Sequence, residues 1–189
     1  IFTSSGTWTK PTGINFIKVF VTGGGGGGGD GSSSNAISQG GSAGGTSIKY
    51  IDVSSISSET VTIGAAGARG TSGGAGGNGG TSSFGSHCSA TGGTGGDANA
   101  GTTAKAAGVG SGGDINLKGG VGGVGQTSQV YGTGAGGASY WAVGDRNQRG
   151  TGHFETSSAY PADFGGGGNG NTNNDGQQGG SGFILVEEY

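Results

Sequence analysis

The chain has no methionine, one cysteine, two prolines and few large apolar side chains. Each shortage removes a class of structure. With Cys88 alone, no disulfide can close within the chain, so the disulfide-stapled scaffolds are excluded. Two prolines rule out collagen, whose three-residue glycine repeat needs abundant proline. Leu, Ile, Val and Phe make up about 15% of residues, under the roughly 20% at which core material becomes scarce. Charge is scarce as well, at 10% of residues and a net −3. Disorder usually pairs low hydrophobicity with high net charge, so the chain does not fit that class either. There is no basic patch to suggest nucleic acid and no acidic run. No apolar stretch approaches the ~20 residues that cross a membrane. The opening Ile1-Phe2-Thr3 has neither an initiator Met nor a signal peptide, and reads as the start of a fragment cut from a longer protein. The length suits one domain, 1–189, held together by something other than side-chain burial.

What the chain does have is glycine, 54 residues of it. Seven in a row, Gly23 to Gly29, follow directly on the strand-like run Ile14 to Val21. Glycine then recurs with a period of three at Gly64, Gly67, Gly70, Gly73, Gly76 and Gly79, and tightens to Gly-Gly-x from Gly73 onward. The register returns at Gly92–Asp97, at Gly119–Gly125 and, as a shorter echo, at Gly176, Gly179 and Gly182. Period three belongs to neither helix nor strand but to the polyproline II conformation. Polyglycine in that form turns its backbone groups outward, so neighbouring segments must satisfy them. Such segments approach closely only where no Cβ intervenes. Gly-Gly-x leaves two faces for backbone hydrogen bonds and sends the third residue to solvent or another layer. An all-glycine run can be surrounded on every side, which places Gly23–Gly29 at the centre of a bundle, with a span of roughly 22 Å at about 3.1 Å per residue. The competing reading is a set of flexible linkers.

Ordinary strands frame the glycine blocks at Ile14–Val21, Ser47–Val53, Val61–Ile63 and Phe183–Val186. They are expected to bury Trp8, Phe16, Phe20, Ile51, Phe183 and Leu185 in a small core. The predicted fold class is therefore mostly irregular/β: a small β-strand framework plus packed polyglycine II helices, with little or no α-helix. Between the blocks lie loops at Asp30–Gln39, Ser82–Thr91, Asp97–Ala107 and Gln126–Tyr131, and a long one at 139–164. That last segment holds Tyr140, Trp141, Asp145, Arg146, Arg149, His153, Phe154, Glu155 and Tyr160. A stretch of that length without regular structure is unusual in a compact domain and tends to be functional or disordered. Its plainer reading is a plug whose aromatics cover the bundle.

Signals for catalysis or cofactors are weak. Chance Gly-x-Gly-x-x-Gly matches occur, but none opens a helix after a strand, and no Gly-Lys-Ser/Thr follows a glycine loop. His87 and Cys88 are adjacent without further ligands at metal spacing, so no metal and no cofactor is expected. A glycan-cleaving enzyme would need two carboxylates flanking the scissile bond. Asp145, Glu155 and Asp163 could be combined on paper, as in any long surface loop.

The whole pattern resembles the glycine-rich distal domain of bacteriophage tail fibres and their tip adhesins. The residues that carry the resemblance are Ser5-Gly6-Thr7-Trp8-Thr9-Lys10-Pro11, the strand Ile17-Lys18-Val19 leading into Gly23–Gly29, and Val61-Thr62-Ile63-Gly64. Ser82-Ser83-Phe84-Gly85 and the closing run Gly180 to Tyr189 complete it. The loops match in position only. The resemblance implies a non-enzymatic receptor-binding module at the distal end of a tail fibre, in the virion, displaying loops toward a bacterial surface polysaccharide or outer-membrane protein. It also implies a homotrimer; the Gly-Gly-Val register adds to this by setting Val121 and Val124 on one line, facing either outward to an apolar partner or toward an inner layer. Tyr140, Trp141, Arg146, Arg149, His153 and Tyr160 are the expected receptor-binding residues, since aromatic faces and directional donors suit sugars and protein loops alike. The alternatives are a polysaccharide-degrading fibre tip and a purely structural or ice-binding polyglycine bundle.

Overall fold

Alternation explains the first layer of the structure. In β2 (Phe16–Thr22), Ile17, Val19 and Val21 point one way and are fully buried, while Phe16, Lys18, Phe20 and Thr22 point the other. The architecture comes from a computed structural model, in which residues 1–31, 37–98, 103–125, 134–143, 163–171 and 175–189 are described. Nine strands are described: β1 (Gly6–Thr9), β2, β3 (Thr46–Asp52), β4 (Ser58–Thr62), β5 (Ser82–Phe84), β6 (Cys88–Ala90), β7 (Gly110–Ser111), β8 (Ile115–Leu117) and β9 (Phe183–Glu188). They form two antiparallel sheets, β1-β4-β5-β6-β7 and β8-β3-β2-β9. Between the sheets lie Trp8, Ile17, Val19, Val21, Ile51, Val53, Val61, Phe84, Cys88, Ala90 and Ile184. There is no helix among the described residues.

Four residues expected in this core lie outside it, among them Leu185, which pairs with Phe20 on the outer face of the sheet and is only partly buried. Phe16 stays 53% exposed, because it begins β2 on the outer face, in register with Asp52 at the end of β3. Phe20 and Phe183 are buried, but also on that outer face rather than between the sheets.

The strands do not end where their large residues end. β2 runs on into 23–31, and 38–45 runs into β3. In the same way β4 continues as 64–70, 74–80 leads into β5, β6 continues as 91–97, and 103–108 leads into β7. Downstream, β8 continues as 119–125 and 175–182 leads into β9. Two more segments, 134–138 and 165–171, have no strand of their own. Successive amides of 23–31 donate in rotation to three neighbours: Gly23 to Gly45, Gly24 to Gly80, Gly25 to Gly180, then Gly26 to Ser42, Gly27 to Gly77 and Gly28 to Gln177. Its carbonyls accept in the same rotation from Gly93, Gly67 and Gly168, then from Gly96, Gly70 and Asn171. Three-fold rotation is the signature of the polyglycine II arrangement, and it gives the central segment six neighbours, three antiparallel and three parallel.

The bonds among those neighbours fix a three-layered bundle. One outer layer is 74–80, 91–97 and 103–108. The middle layer is 64–70, 23–31, 38–45 and 119–125. The other outer layer is 175–182, 165–171 and 134–138. Glycine is required in the middle because a Cβ on Gly26 would come within 3.0 Å of Thr94 O, and one on Gly27 equally close to Ala68 O. In 74–80 the outcome follows the Gly-Gly-x register. Gly76 and Gly79 bond to Gly96 and Gly93, Gly77 and Gly80 bond to Ala68 and Ala65, and Ala75, Asn78 and Thr81 are exposed.

The expected loop Asp30–Gln39 overlaps a second interior segment, 38–45. This segment is not all glycine, yet it also has six neighbours and is buried throughout. The side chains it keeps replace backbone bonds to 103–108. Ser42 Oγ donates to Lys105 O (2.9 Å) and accepts from Gly122 N (3.1 Å). Gln39 donates to Thr103 O (2.9 Å) and accepts from Asp97 N (3.3 Å). The expected loops are shorter accordingly. Asp30, Ser38 and Gln39 belong to the bundle, as do residues 103–107, and Ser82–Thr91 is the β5–β6 hairpin with Phe84 and Cys88 in the core.

Candidate functional site

The alternating directions of the segments sort the connections between two ends. The described residues flanking 32–36, 99–102, 126–133 and 172–174 lie at the end of the bundle far from the sheets, as does the turn Thr71–Gly74. The 139–164 connection is the exception. Segment 134–138 runs parallel to 38–45, back toward the sheets, and 165–171 starts beside Gly44 and runs away again. The long segment therefore leaves and re-enters at the sheet end, on the outer face of β8-β3-β2-β9.

Ser139 ties its two ends together. Its Oγ donates to Phe164 O (2.6 Å) and accepts from Trp141 N (3.2 Å) and Ala142 N (3.0 Å). That clamp lays Trp141 across the sheet. The indole Nε1 donates to Thr22 Oγ1 (2.9 Å), and the ring meets Phe20 at 5.5 Å and Phe183 at 5.3 Å, both edge-on. Phe164 covers Phe183 at 4.8 Å. Tyr140 stands edge-on to Trp141 at 4.9 Å and remains 51% exposed, against 38% for Trp141. The two predicted residues that are described thus have different placements: Trp141 buttresses the sheet, whereas Tyr140 offers a ring to solvent. Arg146, Arg149, His153 and Tyr160 lie outside the described residues, as do Asp145 and Glu155.

The surface continues along the sheet through residues that sequence reasoning missed. Lys18 Nζ sits 4.7 Å from the Phe20 ring centre and 5.5 Å from that of Tyr50. Across the strands it faces Tyr50 on one side and Glu187 on the other, with Nζ 3.9 Å from the carboxylate. Tyr50 is exposed, and Tyr189 donates from its hydroxyl to Glu187 (3.3 Å). Partial desolvation, and then the Glu187 carboxylate, push the Tyr189 phenol up from its ordinary range. Tyr140, Lys18 and Tyr50 therefore line one aromatic and cationic surface, with the buried Phe20 ring beneath it. The signal for it is the alternation of β2, which sets Lys18 on the same outward face as Phe20.

The other candidates disperse. Cys88 faces the core, where burial pushes its thiol up, while His87 turns to Glu59, Nε2 to Oε1 3.1 Å. Neighbours in sequence, they point apart because β6 begins between them. No group of three His, Cys, Asp or Glu gathers among the described residues.

A family model for a glycine-rich domain matches residues 3–189. No curated protein matches the chain.

Proposed function

Starting from a chain that belongs to this glycine-rich domain family, we propose that it is the receptor-binding tip of a bacteriophage tail fibre. It holds the virion to a bacterial surface polysaccharide or outer-membrane protein without chemistry or cofactor. The observation that carries the reading is the aromatic surface built by Tyr140, Trp141, Lys18 and Tyr50 on a scaffold whose interior glycines leave no room for a Cβ. A frame of that kind fixes its connections in space while leaving their sequence free, which is what a module that must match changing receptors needs. Aromatic rings with a polar edge, next to a cation, suit sugar rings and exposed protein loops. The working unit in this reading is a homotrimer. Val121 supports it, being 49% exposed on the outermost segment of the middle layer, where Val124 follows one period on and is partly covered.

Adsorption of the chain to host cells, with and without surface polysaccharide, tests the reading and names the receptor class. Tyr140→Ala combined with Arg146→Ala tests the site, because Trp141 also supports the sheet. A hot-spot contribution of about 2 kcal/mol would lower affinity roughly thirtyfold. A folded double variant that adsorbs like the parent moves the site to the far end of the bundle. Reducing-sugar release from that polysaccharide would replace the binder with an enzyme.

A further inference from the structure

Two asparagines stand directly before glycine in this chain, Asn78-Gly79 and Asn169-Gly170, and they lie in opposite outer layers of the bundle. The bonding around them is the same. Asn78 Oδ1 accepts from Gly95 N (2.9 Å), while Gly79 N donates to Gly93 O (2.9 Å). Asn169 Oδ1 accepts from Gly136 N (2.7 Å), while Gly170 N donates to Gly134 O (2.9 Å). Each Asn-Gly pair is thus clipped to a Gly-x-Gly of its antiparallel neighbour, Gly93-Thr94-Gly95 in one layer and Gly134-Ala135-Gly136 in the other. The side-chain carbonyl supplies an acceptor to one amide of that neighbour, which gives asparagine a structural reason to be there.

Asparagine before glycine is chemically labile, because glycine has no side chain to hinder the approach of its nitrogen. That nitrogen attacks the asparagine Cγ, the side-chain nitrogen leaves as ammonia, and a succinimide ring forms. Water opens the ring to aspartate or isoaspartate, and isoaspartate routes the backbone through an extra carbon. In a lattice bonded residue by residue, that shift breaks the register of a whole segment. The attack needs the glycine nitrogen free of its hydrogen bond and brought up to Cγ. Here the nitrogen is committed to one carbonyl, and the side chain is held by a second amide. We propose that Asn78 and Asn169 are latent deamidation sites that the bundle keeps closed, reacting only when their segments separate. Burial is not what protects them, since Asn78 is exposed to water. The two Asp-Gly pairs cyclise by the same attack with loss of water, and their glycine amides are bonded as well. Gly31 N donates to Asn171 O (2.6 Å) and Gly176 N to Gly70 O (2.9 Å). Isoaspartate at Asn78 or Asn169 therefore marks chains whose bundle has opened. The inference does not depend on the receptor reading.

The test ages the whole chain in warm, mildly alkaline buffer, folded in one arm and in guanidinium chloride in the other. Peptide mass spectrometry then follows deamidation at each asparagine. A Thr12→Asn variant supplies the comparison within a folded chain. It sets asparagine before Gly13 in an exposed turn, where open space surrounds the glycine. Asn78 and Asn169 are expected to react at least roughly tenfold more slowly in the folded chain than in denaturant, because reaction waits on local opening. Position 12 of the folded variant should deamidate at a rate close to that in denaturant. Equal rates in the two arms for Asn78 or Asn169 would overturn the proposal. So would a position 12 as slow as Asn78 in the folded variant, since protection would then come from folding in general and not from the paired bonds.

Discussion

The two-sheet sandwich and the glycine bundle share their strands but are held by opposite means. In the sandwich, Ile17, Val19, Val21, Val61 and Phe84 are buried outright, and each side chain contributes roughly 1.5–3 kcal/mol by leaving water. A few residues further along the same strands there is nothing to bury. A bundle hydrogen bond contributes a net 0.5–1.5 kcal/mol or so, and ordering each glycine costs about 0.5–1 kcal/mol more than ordering alanine. Residue by residue the bundle nearly breaks even. It stands because the amides of its central segment are all partnered, and a single unmade bond costs about 1–3 kcal/mol. Large residues in one region and their absence in the other thus serve the same end, close packing of layers.

Substitutions can break this comparison. Gly26→Val should have the largest effect, since its Cβ enters the space of Thr94 O and Gly95 N, all backbone that cannot rotate away. A loss beyond about 4–5 kcal/mol is expected, seen as failure to fold or a collapsed melting temperature. Gly76→Ala, aimed at Gly27 O, should be milder but clear; parental melting there would mean that these segments are loose linkers. Next comes Phe84→Ala in the sandwich, at about 3–5 kcal/mol by chemical denaturation. Hydrogen exchange on that variant sharpens the contrast, with bundle amides expected to lose protection together with the sheets that anchor them. Ser42→Ala removes no bulk but strips Lys105 O and Gly122 N of their partner, for about 1–3 kcal/mol. Smallest of all is Ala75→Thr at an exposed third position, within about 0.5 kcal/mol of the parent by melting.

The period-three glycines made the bundle and its centre legible, because the absence of a Cβ is written directly in the sequence. The second interior segment was not legible. Ser38-Gln39-Gly40-Gly41-Ser42-Ala43 looks like a loop until Ser42 and Gln39 are seen to supply the hydrogen bonds that backbone supplies elsewhere. Strands β5 to β8 are only two or three residues long, too short for a local pattern to mark them. Of the candidate site, the composition of 139–164 drew attention to Tyr140 and Trp141. Lys18, Tyr50 and Glu187 join them only through cross-strand register, which pairs residues far apart in the chain.

The six-fold surrounding of 23–31 also governs when the molecule can form. Its partners are spread from Gln39 to Gly180, and two of its amides, Gly25 and Gly28, bond only to the last segment. The centre therefore cannot be completed by the residues that follow it directly in synthesis; it waits for residues 175–182. Contacts so distant in sequence make for slow, all-or-none folding. A nascent chain lacking 175–182 keeps open amides along its axis, which makes that last segment the latch for the whole assembly.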